Sequence, residues 1–313
     1  MRIFTSLAAY REPHLAFTLE QLFEKAAEPN RISVGLVDQS QDDTAGWLAR
    51  RTWGGQVRHR QFDPRESRGV CWARDHAMQL YAGEDYFLQI DSHTFFFPGW
   101  DQALIDLHRQ LEALIDKPLI SAYPPPFEFD ADGDPAIRQP AAAQVSIIVP
   151  EDGERLRPGC ATLRFRGDWQ AGADFALGFH LAAGFIFARG AFVDEVPYDP
   201  ALYFHGEEQN LALRAWTRGW NIAHPRQDWI PLRHLYKSAD AAHPGQHWHA
   251  DIDAQRQTQW PERAQQSDAR LLALVRGELE GAFGLGAARS LEDFRGFSGL
   301  DYRVCQTAYA ERA

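Results

Sequence analysis

Cysteine is scarce in this chain of 313 residues. Only Cys71, Cys160 and Cys305 occur, far apart and without a CxxC pair. An odd, sparse set excludes a disulfide framework and suits a reducing cytosol, so a cytoplasmic protein is expected. Long apolar runs are also lacking. The longest, such as Leu181 to Ala188, fall far below the roughly 20 residues that cross a bilayer, so no integral membrane segment is expected. The apolar run within Met1 to Tyr10 is too short to read as a signal peptide. Internal repeats, coiled-coil heptads and long blocks of one charge are missing as well. Basic residues are in deficit, 32 against 43 acidic, for a formal net charge of −11. That balance excludes a protein that coats nucleic-acid phosphates, although a local basic pocket stays open.

What is present is globular. Apolar residues make up 45% and charged residues 24%, which excludes a mainly disordered chain. The length is about twice a usual domain, so one large α/β domain or two smaller ones fit. Ten Trp, 20 Phe, 9 Tyr, 12 His and 18 Pro can line pockets with rings.

Hydrophobic spacing alternates between strand and helix through the first half. Arg2 to Ala8 reads as a buried strand, and Pro13 to Ala27 as a helix with Leu15, Leu19, Leu22 and Phe23 at helical spacing. Arg31 to Val37 is a second strand, and a short helix is expected around Trp47 after a polar stretch. A helix over 69–81 presents Val70, Ala73, Ala77 and Leu80 on one face. Tyr86 to Ile90 reads as a central strand. Trp100, Leu104, Leu107, Leu111 and Leu114 mark an amphipathic helix, and Leu119 to Ala122 another strand. This alternation predicts an α/β sheet of parallel strands with helices on both faces. The order breaks at Pro124-Pro125-Pro126 and at the turn chemistry of 130–135. β-rich pieces then occupy Gln144 to Phe187, and a helix runs from Glu207 to about Arg218, closed by Gly219. Asn221 to Ala223 opens a strand, 238–258 is loop-like, and helices are expected near 267–282 and near 290.

Four features carry chemistry. Gln89-Ile90-Asp91-Ser92-His93 directly follows an apolar strand, and ligands of open α/β sheets bind beyond the carboxyl ends of strands. Residues i and i+2 of extended chain point the same way, so Asp91 and His93 can aim a carboxylate and an imidazole at one divalent cation. A capping Asp91 beside a packed His93 is the structural alternative. At His205-Gly206-Glu207-Glu208, carboxylates open a helix. Glu207, Leu211 and Ala215 share a face, drawing at least one carboxylate toward packed structure. Such a group can serve the helix dipole, hold a sugar hydroxyl or orient a nucleophile. Arg74 lies at the edge of an apolar stripe, where it can snorkel past the core or reach a phosphate. His234 in Leu232-Arg-His-Leu-Tyr-Lys237 can complete a metal site from a distance. His243, His247 and His249 could form a further metal cluster, but they sit in so polar a stretch that solvated histidines or a mobile lid are the favoured readings.

In order along the chain, these segments resemble a known family. Phe4 to Glu12, Ala73-Arg74, Gln89 to His93 followed by Gly99-Trp-Asp101, Ala183 to Ala188 and Val196 to Pro200 carry the likeness. Phe204 to Glu208, Arg214 to Gly219, His234 to Lys237 and the tail from Gly284 to Gly299 complete it. The chain resembles a GT-A-fold glycosyltransferase, closely the polypeptide (Skp1 hydroxyproline-type) α-N-acetylglucosaminyltransferase family. The resemblance implies a Rossmann-like central sheet with helices on both faces and a C-terminal helical extension. It implies a GT-A domain over 1–236, with 237–313 as loop and helical extension packing on the same domain. It further implies that Asp91 and His93 form a DxH variant of the DxD motif, binding Mn²⁺ or another divalent cation with His234 as third ligand. Ser6, Ala8, Tyr10, Arg11, Asp38, Ser92 and Lys237, with Asp91 and Arg74, are then expected around UDP-GlcNAc. Arg74, Glu207 and Glu208 are the expected catalytic groups. His205 departs from the smaller residue expected there, which bears on acceptor preference. The implied reaction moves N-acetylglucosamine, with retention, to a hydroxyl of a protein or peptide acceptor. A metal-dependent hydrolase, or a non-catalytic sugar-nucleotide or glycan-binding module, is the alternative.

Overall fold

The computed structural model describes residues 1–140, 143–236 and 246–307. Lys237 and His243 lie outside the described residues. Eight strands form the central sheet: β1 (Ile3–Tyr10), β2 (Ile32–Gln39), β3 (Val57–Gln61), β4 (Tyr86–Asp91), β5 (Pro118–Ser121), β6 (Phe175–Gly178), β7 (Phe185–Arg189) and β8 (Asn221–Pro225). Their order is β6-β8-β5-β7-β4-β1-β2-β3. The pairs β3–β2, β2–β1, β1–β4 and β5–β8 are parallel. β7 runs antiparallel between β4 and β5, and β6 antiparallel against β8. The sheet is therefore mixed rather than wholly parallel, because the β-rich stretch after residue 144 contributes strands of reversed direction.

Period-2 alternation sorts side chains to the two faces. Ile3, Leu7, Tyr86, Leu88 and Ile90 face one core with Leu19, Leu22 and Phe23 of α1 (Leu15–Glu24) and with Trp100, Leu104 and Leu111. Phe4, Phe87 and Ile186 face the other. There they meet Cys71 and Met78 of α2 (Val70–Met78), and Leu211, Ala212 and Ala215. The tryptophan helix is α3 (Trp100–Glu112) and the second alanine-bearing one is α4 (Glu207–Thr217). Helices thus cover both faces, as the sequence pattern predicts. A further core joins Leu213 and Trp216 of α4 to Leu271, Leu274 and Val275 of α5 (Trp260–Val275) and Phe294 of α6 (Leu291–Ser298).

Three elements depart from the sequence reading. β3, Val-Arg-His-Arg-Gln, is an edge strand whose charged residues hide the strand pattern. The tail helix starts at Trp260 rather than near 267, because its first half is polar; Pro261 in the first turn is the start signal. A helical turn, Ala250–Asp253, also occupies the stretch expected to be loop.

Register fixes where the chemistry lies. Ala8 pairs with Asp91, Ala9 with Asp38 and Tyr10 with Gln39, so the carboxyl ends of β1, β2 and β4 lie level. α2 approaches this end through Gly69, whose φ is 104° and whose Cβ, if present, would stand 2.3 Å from the Tyr203 carbonyl oxygen. Val70 N–H donates to that same carbonyl at 3.1 Å. Gly69→Ala is expected to lower unfolding free energy by about 1–3 kcal/mol in urea titration, since both backbone conformation and close approach exclude a methyl group.

Candidate active site

The polypeptide turns at the end of β4 and returns as Thr94–Phe96, which pairs antiparallel with Leu232–His234. Thr94 is opposite His234, and the Leu235 N–H donates to the His93 carbonyl at 3.1 Å. This small ribbon carries His234 across 143 residues of sequence to Asp91. The His234 Nε2 lies 3.0 Å from Asp91 Oδ2 and 3.1 Å from His93 Nε2, and His93 Nε2 lies 3.9 Å from the same carboxylate oxygen. Three ligand atoms of mixed carboxylate and imidazole type therefore converge, the one such group among the described residues.

These residues fit a divalent cation. Ligand atoms on adjacent positions around an ion held at about 2.1–2.3 Å stand about 3 Å apart. Glu12 Oε2 lies 3.0 Å from His93 Nδ1 and takes up that nitrogen's hydrogen, leaving Nε2 as the basic atom facing the cluster. Gly184 supplies the space: a Cβ there would stand 2.9 Å from Asp91 Oδ2 and 3.8 Å from His234 Nε2. Burial would raise the Asp91 carboxyl, but the His234 hydrogen bond and the charges of Arg74 and the histidines hold it well below the usual carboxylate range.

Arg74 projects from α2 beneath the cluster. One arm donates to Asp91 Oδ1 at 2.5 Å, and the other to Glu207 Oε1 and, at 3.5 Å, to the Tyr198 hydroxyl. Gln89 of β4 donates to that hydroxyl at 2.6 Å and to the Ala183 carbonyl at 2.6 Å. Burial alone would favour a neutral guanidinium, yet Glu207, Tyr198 and Asp91 hold Arg74 firmly charged. Burial pushes the Glu207 carboxyl up while Arg74 pulls against it. α4 starts after Gly206, whose φ of 84° swings the chain so that successive carboxylates diverge. Glu207 turns inward to Arg74. Glu208 turns to the cleft, where its Oε1 accepts from Ala183 N–H at 2.7 Å and its Oε2 lies 3.7 Å from His180 Nε2.

The cleft measures about 610 Å³. It brings together Asp91, Ser92, His93, His234, Arg74, Glu207, Glu208, Ala8 and Tyr10 of the residues expected from sequence. Ser6 is not brought there; it is buried midway along β1, opposite Gly35 and Gln89. The Asp38 carboxylate is buried and accepts from Ser40 and Thr44 at 2.9 and 2.5 Å, while its neighbour Gln39 lines the cleft. Arg11 pairs with Asp251 at 2.7 Å outside the lining. His247 is not a solvated histidine. It is buried among the rings of Tyr10, Tyr203 and Phe204, with Nδ1 2.7 Å from the Tyr203 hydroxyl. Sequence reasoning missed the roles of Glu12, Gly184, His180, Tyr123 and Trp248 in this cleft. They reach the cleft from separate parts of the chain and carry no local signal, although Glu12 closes the first segment of family likeness.

Fold and cleft together give an α/β architecture of GT-A type with a candidate metal centre at the carboxyl ends of its strands. A family model described as Glycosyltransferase (GlcNAc) matches residues 2–53 and 48–282, and the chain belongs to that family. Among solved structures, GalNAc-T7 with UDP, GalNAc and Mn²⁺ superposes with a TM-score of 0.59 at 13% identity. That match covers 98% of this chain and 55% of the other, so the chain spans about half the length of that relative. S. aureus TarS 1-349 in complex with UDP-GlcNAc matches with a TM-score of 0.45 at 16% identity, over 77% of this chain and 60% of the other. No curated protein matches the chain. Removing the carboxylate behind His93 tests the centre without touching a ligand atom. Glu12→Gln is expected to weaken divalent-cation binding, titrated with Mn²⁺ by electron paramagnetic resonance, by roughly 10- to 100-fold.

Proposed function

We propose that this protein transfers N-acetylglucosamine from UDP-GlcNAc to a hydroxyl of a protein or peptide, using Mn²⁺ or another divalent cation and retaining configuration. The observation that carries this reading is the Asp91–His93–His234 cluster in the main cleft of a chain of the Glycosyltransferase (GlcNAc) family. GalNAc-T7, whose structure holds UDP, GalNAc and Mn²⁺, supports a UDP-sugar donor and a divalent cation. Ala8, Tyr10 and Gln39 line the cleft at the level ends of β1 and β2, which supports reading them as the nucleoside site. Asp91, His93 and His234 would hold the cation, which when bound supplies a Lewis acid for the leaving diphosphate.

The chain's own residues do the rest. Arg74 keeps Asp91 ionised and oriented and places a fixed positive charge close to where negative charge grows. Glu208 holds its second carboxylate oxygen, beside His180, toward the cleft to accept from a hydroxyl of the donor sugar or the acceptor. Glu207 is committed to Arg74 and acts by positioning it. The bond from the anomeric carbon to UDP breaks with its electron pair leaving on UDP. The acceptor oxygen bonds to that carbon from the same face, and its proton passes to the departing phosphate. No covalent nucleophile is assigned.

We also read residues 1–236 as the transferase domain and 237–313 as an extension of the same unit. The packing of α5 and α6 on α4, and the Arg256 bond to the Tyr10 hydroxyl at 2.8 Å, support this. The three free thiols suit a cytoplasmic setting, and among the described residues no helix is long and apolar enough to cross a membrane.

UDP release from UDP-GlcNAc with Mn²⁺ and a peptide mixture is expected to fall to background with chelator and in His234→Ala. Undiminished release under chelator would sink the metal-dependent reading. Glu207 and Glu208 should separate in kind. Glu207→Gln removes one of the two carboxylates that pair with Arg74 and is expected to cost about 1–3 kcal/mol of stability. Glu208→Gln should keep the melting temperature and lose turnover.

A further inference from the structure

A second cavity, of about 420 Å³, shares a wall with the main cleft. Ser67 and Gly69 line the cleft, while Arg68 between them lines this cavity; Phe204 lines the cleft and Tyr203 the cavity. Another wall is one face of α5, where Arg263, Gln266, Arg270 and Ala273 recur at helical spacing. Three guanidiniums from two elements therefore border one space, in a chain whose net charge is −11.

Acidic groups do not balance them. Among the described residues no Asp or Glu lines the cavity. Buried Asp199, beneath it, accepts from Arg270 Nε at 2.8 Å. Arg263 directs its Nε to the Thr258 carbonyl at 3.1 Å and pairs with no carboxylate among the described residues. Arg68 is exposed, and its guanidinium has neither an ion pair nor a hydrogen bond among them. The terminal nitrogens of all three forks thus stay unengaged within the described chain. Burial, and after it the charges of Arg68 and Arg256, push the Arg263 guanidinium below its usual value. Like charges gathered in this way repel one another, and an anion placed between them is attracted by all.

We propose that this cavity binds a phosphate monoester, at a site separate from the diphosphate cleft. Three guanidiniums against the single Asp199 carboxylate leave an excess of two positive charges. A phosphate monoester near neutral pH carries about −1.5 to −2, which meets that excess. Its three terminal oxygens accept from planar forks two at a time, the geometry in which arginine binds phosphate best. Pro200, Ala201 and Ala273 leave uncharged space beside the arginines for the group that bears the phosphate. That group is a small molecule or a side chain of a polypeptide, and the recognition chemistry is the same for both. Bound there, the anion ties α5 to the turn that opens α2, so occupancy reads out as stability. The proposal does not depend on the transferase reading.

The test uses the full chain with chelator present, so that no metal draws phosphate into the main cleft. Inorganic phosphate, glucose 6-phosphate and a phosphoserine peptide beside its unphosphorylated form are titrated by calorimetry and by thermal unfolding. Wild type is expected to bind phosphate esters and to gain unfolding midpoint as their concentration rises. Arg68→Gln and Arg263→Gln should each weaken binding roughly tenfold. Arg270 is left in place, because its removal would leave buried Asp199 unpaired. Without ligand, Arg68→Gln should melt no lower than wild type, since it removes a repelling charge that has no partner; a clearly lower midpoint contradicts the proposal. Binding of the small esters assigns the phosphate to a small molecule, and binding of the phosphoserine peptide alone assigns it to a polypeptide; either supports the site. Absence of binding by every probe, binding unchanged in both variants, or an equal gain in midpoint from sodium chloride at matched ionic strength overturns it.

Discussion

One buried cation organises this molecule. Arg74, drawn from α2 into the space beneath the sheet's carboxyl end, binds Asp91 of β4 with one arm and Glu207 of α4 with the other. A guanidinium removed from water is tolerated only when anions and hydrogen bonds surround it. Once it is there, the strand end, the two helices and Tyr198 are held in one relative placement. The His234 hydrogen bond and the charge of Arg74 together hold the Asp91 carboxyl down, and a metal ligand must be ionised. Stability and chemistry thus meet in a single side chain. The small ribbon that brings in His234, and the Glu12 carboxylate behind His93, complete a centre whose geometry Arg74 underlies.

Against an overall charge of −11, this arrangement has a plain electrostatic sense. Asp91, Glu207 and Glu208 gather at the place where a diphosphate would have to bind. Arg74 offsets part of that negative charge, and a cation at Asp91, His93 and His234 would offset more. Glu208, bonded to a backbone N–H on one oxygen, leaves the other toward the cleft.

The sequence made some of this legible and hid the rest. Strands β1, β2 and β4 and helices α1 to α4 were readable because they bury one face and show a clear period. Asp91 and His93 could be paired because two residues of extended chain bring side chains to one side. His234 was named through resemblance, since nothing in Leu232–Tyr236 says that a ribbon will lay it against Thr94. Glu207 could be separated from solvent by its spacing to Leu211 and Ala215; its partner Arg74, 133 residues earlier, could not be paired with it. Ser6 and Asp38 do not line the cleft, while Ala8, Tyr10 and Gln39 do. A strand end identified from sequence does not say which residue is the last to face the open side. β3 escaped notice because a charged edge strand needs no apolar period.

The central claim is that Asp91, His93 and His234 hold a divalent cation against a nucleotide diphosphate. Anomalous scattering from a crystal grown with Mn²⁺ and UDP addresses it directly. The account predicts one strong manganese peak bonded to Asp91 Oδ2, His93 Nε2 and His234 Nε2, with UDP phosphate oxygens completing its coordination. Ordered UDP whose manganese contacts none of these three side chains would contradict it.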